Sequence, residues 1–151
     1  MTSPRVIPAA CDRREFMSAC ALAAISLALG GCASLVVRRV TPVDGRLELA
    51  LSHFPELSER ESVLTVLPEG TDQPVFVLTD SQGAYTALSS TCTHLGCTVE
   101  VGSTNLVCPC HGSTFDRQGR VLKGPAEEPL PRYQTRLTSD GVLVVDLRSR
   151  A

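Results

Sequence analysis

Two short segments set the strictest limit on how this chain can fold: Cys92-Thr93-His94-Leu95-Gly96-Cys97 and Cys108-Pro109-Cys110-His111-Gly112-Ser113. Each holds a cysteine and a histidine at short spacing, with one further cysteine beside them. Two ligands on one tight loop can reach the same metal with little help from the rest of the chain. Four ligands from two loops can do so only if the fold holds the loops together. Structural zinc takes four Cys or His ligands in a tetrahedron, and zinc ribbons favour Cys-x-x-Cys in each half. The pairs here are Cys-x-His and Cys-x-x-His, each with a spare cysteine. A blue-copper site takes one Cys, two His and a nearby Met. No methionine follows Met17, which leaves copper weakly supported.

The remainder of the chain past Val43 reads as β. Leu47, Leu49 and Leu51 alternate with Glu48, Ala50 and Ser52, the period of a half-buried strand. Residues 63–67 and 75–78 are short apolar or β-branched runs, closed by turn residues at Pro68 to Gly70 and Asp80 to Gly83. Residues 84–88 supply a hairpin partner for 75–79. Residues 133–137 and 142–147 flank Thr138-Ser139-Asp140-Gly141, a second hairpin signal. Thr98 to Val107 reads as one compact hairpin turning at Gly102-Ser103-Thr104-Asn105. No amphipathic helix is expected past residue 40. Short strands with frequent turns predict an all-β, antiparallel sandwich or small barrel. Segment 89–132 is loop-like and holds nearly all the chemistry, as a rigid scaffold with reactive loops would have it. The net charge is -2 and no Lys/Arg run occurs, so nucleic acid is not an expected partner.

Residues 1–37 read as an address preceding a domain at 38–151. Arg13-Arg14-Glu15-Phe16-Met17 stands just ahead of an uncharged run from Met17 to Gly31. Charged residues before a short apolar stretch are the layout of an export signal, and Arg-Arg-x-Phe-Met resembles the twin-arginine signal for export of folded proteins. Leu29-Gly30-Gly31-Cys32 resembles a lipobox, in which Cys32 would be lipidated after cleavage. Alternatively Met17 to Val37, a run of 21 residues, stays as one membrane-anchoring helix. Gly30-Gly31 weakens that helix, and the reading favours the lipoprotein. Either way the domain is expected at the bacterial cell membrane, on its periplasmic or outer side.

The two Cys-His loops resemble the cluster-binding loops of the Rieske subunits of cytochrome bc-type complexes, whose two-iron, two-sulfur cluster has two His in place of two Cys on one iron. The resemblance implies a Rieske-type β fold, one [2Fe-2S] cluster, Cys92 and Cys108 on the inner iron, and His94 and His111 on the outer iron. It also implies a disulfide between Cys97 and Cys110, which an exported protein can keep. Ser113 matches a donor to a bridging sulfide, and Leu95 is expected to shield the cluster or pack its loop. Lys123-Gly124-Pro125-Ala126 resembles the proline loop that covers the cluster. His53 lies outside the pattern. Two departures stand out. Thirteen residues separate His94 from Cys108, fewer than usual in the family. Phe115 stands where the respiratory subunits often have Tyr donating to a ligand sulfur, and Phe cannot donate.

The function this implies is electron transfer from quinol to a cytochrome c-type acceptor, as a membrane-tethered subunit beside a cytochrome b-type protein. Such a subunit performs a redox step and needs partners to complete an enzyme. The alternative is the small Rieske subunit of a periplasmic molybdenum oxidase such as arsenite oxidase. Rieske ferredoxins of ring dioxygenases usually lack the extra cysteines and the signal, so Cys97 and Cys110 speak against that class. A zinc-stabilised binding module would be colourless.

Overall fold

The computed structural model describes residues 37–150. The export signal, Cys32 and the proposed anchor lie outside the described residues, except for Val37. Val37 opens the first strand, β1 (Val37–Val40). The described chain is β throughout except for one 3-10 turn at Pro55–Ser58.

Seven strands form the larger sheet in the order β1, β3 (Val63–Pro68), β4 (Val75–Thr79), β5 (Tyr85–Ser89), β10 (Arg132–Leu137), β11 (Val142–Arg150) and β2 (Arg46–Ala50). All neighbours are antiparallel except β1 and β3, which are parallel. Leu47 and Leu49 on β2 pack into the same core as Leu64 and Val66 on β3, Val75 and Val77 on β4, and Leu143 and Val145 on β11. Strands from opposite ends of the sheet thus share one interior, so the sheet is rolled into a near-barrel. Both hairpins expected from the sequence are present, β4–β5 and β10–β11. In the first, the Asp80 carboxylate accepts from the backbone N–H groups of Gln82 and Ala84, each at 2.8 Å.

β4 is the strand on which the whole arrangement turns. All five of its residues are buried. Val75 and Val77 face the barrel interior, while Phe76 and Leu78 face outward, yet those two are buried as well. What covers them is a second layer built from 89–132. It includes a small sheet in the order β6 (Glu100–Val101), β7 (Leu106–Val107), β8 (Thr114–Phe115) and β9 (Val121–Lys123). Cys92, Val99, Leu106, Cys108, Phe115, Ala126 and Leu130 pack with Phe76, Leu78 and Leu88. A strand covered on both faces reads as an unbroken apolar run, not an alternating one. The run Val75-Phe76-Val77-Leu78 is that signature.

Two features of the fold exceed the sequence reading. The sheet starts at Val37, before the expected change of pattern at Val43, because Arg38 and Arg39 are exposed on an edge strand that buries no alternating face. The segment 89–132 contains four strands of two or three residues, too short for any period to show. The hairpin at 98–107 is present, with Gly102 N–H donating to the Asn105 carbonyl at 2.9 Å.

Leu88 is fully buried on the outer face of β5, at the seam between barrel and loop layer. Leu88→Ala is expected to cost about 2–5 kcal/mol of stability. Urea unfolding of the two proteins measures this, and a loss below about 1 kcal/mol would show the seam to be loosely packed.

Candidate metal centre

The two Cys-His loops have one backbone design. Cys92 N–H donates to the Cys97 carbonyl at 2.8 Å, and Gly96 N–H donates back to the Cys92 carbonyl at 2.9 Å. In the second loop, Cys108 N–H donates to the Ser113 carbonyl at 2.8 Å, and Gly112 N–H donates to the Cys108 carbonyl at 3.0 Å. Each loop therefore closes over four residues between the same two bonds. The closing residue in each is a glycine with positive φ, +79° at Gly96 and +76° at Gly112, where an L side chain is strained. The first loop is the turn of a small hairpin, bridged at Thr91 and Thr98.

The equivalence places the chemistry. The opening residues, Cys92 and Cys108, are free thiols and buried. Burial, and next to it the Cys92 thiol, push the Cys108 thiol above its ordinary pKa of 9.0. A metal that bound there would have to displace protons from both. Further out along the loops stand His94, half-buried, and His111, exposed, with ring centroids 4.9 Å apart and planes at 87°. Cys97 and Cys110 are joined in a disulfide across the loops, 13 residues apart in sequence. The sulfurs of Cys97, Cys108 and Cys110 lie within 4.8 Å of one another. Two of these are consumed by the bridge, so only Cys108 of that trio can be a thiolate ligand.

A third loop ties both together. Ser113 is fully buried, and its hydroxyl oxygen accepts from Ala126 N–H at 3.0 Å, which leaves its own proton to donate. The Thr93 hydroxyl donates to the Glu128 carbonyl at 2.7 Å. The chain that follows β9 is thus bonded to both loops, at Ala126 and at Glu128. It is the anchor at Thr93 that sequence reading missed, for no motif marks a threonine that bonds a backbone carbonyl 35 residues away. Phe115 is buried beside Cys92 and Cys108 in the same packed layer. Leu95 is 68% exposed, so packing within its loop is not its role. His53 sits exposed in the turn after β2, apart from both loops.

The residues present suit a mixed Cys/His iron–sulfur cluster. His94 Nδ1 is buried and has no hydrogen-bond partner. A buried imidazole nitrogen without a partner is costly, and a bond to a metal would satisfy it. Two buried thiols stand on the inner side and two imidazoles on the outer, the donor set of a cluster with one sulfur-bound and one nitrogen-bound iron.

The profile of the Rieske [2Fe-2S] domain matches residues 50–134. The chain belongs to the Rieske [2Fe-2S] family. Its cofactor is accordingly a [2Fe-2S] cluster. The cytochrome b6-f complex iron-sulfur subunit of Chlorobaculum thiosulfatiphilum is 39% identical over 109 residues, covering 71% of this chain and 56% of that protein. The ubiquinol-cytochrome c reductase iron-sulfur subunit of Cereibacter sphaeroides is 36% identical over 104 residues, covering 64% and 54%. The chain spans about half the length of these relatives. The soluble domain of Rieske protein II from Sulfolobus acidocaldarius shares the fold, with a TM-score of 0.53 and 21% identity over 70% of this chain and 81% of that one.

Removing the bridge tests its share in holding this Rieske centre. Cys97→Ser opens a loop of 13 residues, and chain entropy sets the loss at about 3 kcal/mol. Thermal melting and the rate at which the cluster's visible absorption fades should both register it. An unchanged fading rate would mean that packing alone holds the loops.

Proposed function

We propose that Cys92 and Cys108 bind the inner iron, that His94 and His111 bind the outer iron, and that the domain is a membrane-tethered one-electron carrier from quinol to a c-type cytochrome. A cluster held by two thiolates and two neutral imidazoles takes one electron at a higher potential than four thiolates allow. The observation that supports this reading best is the layering: the sulfurs are buried, the imidazoles lie outermost, and His94 Nδ1 is turned inward without a partner.

Each remaining part then has a task in the residues themselves. With Nδ1 of His94 committed inward, its Nε2 is the nitrogen left for the outside. A hydroxyl of quinol can meet the protein there, and an Nε2 that has first given up its own proton can accept the one that leaves with the electron. Leu95, exposed beside it, offers an apolar surface to a quinone ring or to a docking partner. The barrel supplies rigidity and the disulfide holds the two loops at one spacing. The relatives named as cytochrome b6-f and ubiquinol-cytochrome c reductase subunits support a cytochrome b-type partner and a c-type acceptor. An N-terminal twin-arginine signal with lipidation at Cys32 would place the domain at the outer side of the membrane after it had folded and been loaded.

Two measurements test this. Reduced protein should show the low average g value of mixed Cys/His ligation in electron paramagnetic resonance. Its midpoint potential should then fall at alkaline pH by about 59 mV per pH unit for each proton coupled to the electron. The sign follows because a ligand that has lost its proton adds negative charge, which opposes the uptake of an electron. A potential that stays flat up to strongly alkaline pH would remove proton-coupled transfer at His94 and His111.

Phe115 leaves the ligand sulfurs without the phenolic donor expected at that position. Phe115→Tyr should raise the potential, since hydrogen bonds to sulfur favour the reduced, more negative state. The same potential in a variant with an intact spectrum would show that residue 115 does not reach a ligand sulfur.

A further inference from the structure

The loop layer covers one side of the barrel, over Phe76 and Leu78 on β4 and Leu88 on β5. The outer side of β10, β11 and β2 has no such cover. Register fixes which residues stand there. Leu143 and Val145 on β11, and Leu47 and Leu49 on β2, point into the barrel. Val144, opposite both Arg136 and Glu48, therefore points out, as does Asp146, opposite both Gln134 and Arg46. Arg132 is opposite Leu88, whose side chain is also on the outer face. Arg46, Glu48, Arg132, Gln134, Arg136 and Arg148 are all exposed.

The charge on this open face is positive. Asp146 is held between two guanidiniums, with Arg46 Nε 3.3 Å from one oxygen and Arg148 Nε 3.3 Å from the other. One carboxylate thus serves two cations, and the trio keeps a positive charge. Arg136 has no ion-pair partner among the described residues. An open cleft of about 400 Å³ is lined by Arg46 and Arg136, with Val144 between them. The face carries four arginines and two carboxylates, Glu48 and Asp146. The rest of residues 37–149 carries six cations and twelve carboxylates, the reverse balance.

We infer that this face docks the domain on a bilayer of anionic phospholipid, with its arginines donating to the headgroup phosphodiesters. A guanidinium matches two phosphate oxygens at once. An acidic body held at an anionic surface is repelled on every side but its basic one, and so turns that side to the surface. The inference rests on the reading of the chain as membrane-tethered. The path of the chain suits it: β1, the strand by which the chain enters the sheet, leads into β2 through a turn bridged at Val43 and Arg46, so the basic face adjoins the entry strand. In the rolled sheet of seven, β11 is three strands from β4, near the opposite side of the barrel. Docked in this way, the domain turns its loop layer and histidines to the aqueous side. A soluble acceptor can reach them there, and the domain leaves the surface to reach quinol in the membrane.

The test uses the full chain, loaded with its cluster, and vesicles of phosphatidylcholine with or without phosphatidylglycerol. Phenylglyoxal labels exposed arginines, and peptide mass spectrometry reads each one. Labelling of Arg46, Arg136 and Arg148 should slow several-fold when phosphatidylglycerol is present, and recover in high salt. Arg120, on the loop layer and 76% exposed, should label alike in both. Arg46→Gln with Arg136→Gln should remove the protection of Arg148, since each arginine lost weakens docking about fivefold. Equal labelling of the face in both lipids, or equal slowing at Arg120, overturns the docking. Protection given by polyglutamate and not by phosphatidylglycerol overturns the lipid and points to an acidic protein. Flotation with phosphatidylcholine alone reports the tether. A chain that fails to float refutes the tethered reading, while the labelling still decides the role of the face.

Discussion

Two thiols must be held side by side out of water, with two imidazoles just outside them, and neither requirement can be met by one loop. The sulfurs lie at the first residues of two separate turns, and each turn is held by the same pair of backbone bonds. Making the turns alike solves half the problem, because each presents its opening cysteine in the same pose. The other half is their mutual spacing. The disulfide between Cys97 and Cys110 and the third loop, bonded at Thr93 and Ser113, supply that. Side chains held this tightly would let a metal centre between them change charge with little rearrangement.

The centre would have no foundation without β4. Its inner face closes the barrel and its outer face is the floor on which the loop layer rests. Burying both faces of one strand joins two cores that a chain of this size could otherwise hold only loosely. The result is a scaffold in which Cys92 follows closely on β5, the neighbour of β4, with one serine and one threonine between strand end and cysteine. Distance from the rigid sheet to the first buried thiol is therefore a few residues. The second loop is tied back to the same floor through Leu106, Cys108 and Phe115.

Much of this could be read from the residues. Period-two alternation in Leu47 to Leu51 marked β2, turn residues marked both large hairpins, and the unbroken run 75–78 was a strand although nothing said why it did not alternate. The strands β6 to β9 carried no periodic signal because two or three residues cannot show one. Edge strand β1 was hidden by its two exposed arginines. Within the centre, Cys92, His94, Cys108 and His111 were legible by type and spacing, and Ser113 and Phe115 by likeness to a family. Thr93 was not, because a hydroxyl's role depends on what stands opposite it, and that is decided by pairing between distant segments.

By itself, the sequence determined the inventory: which donor atoms exist, that each loop holds two sulfurs and one imidazole at a reach of a few bonds, and that strands with turns would carry them. Those are local matters, set by covalent spacing and backbone preference. Tertiary structure alone decided the layering, with thiols inside, imidazoles outside and Leu95 bare. Burial is a property of what covers a residue, and the cover here comes from chain segments tens of residues away, which no local pattern can specify.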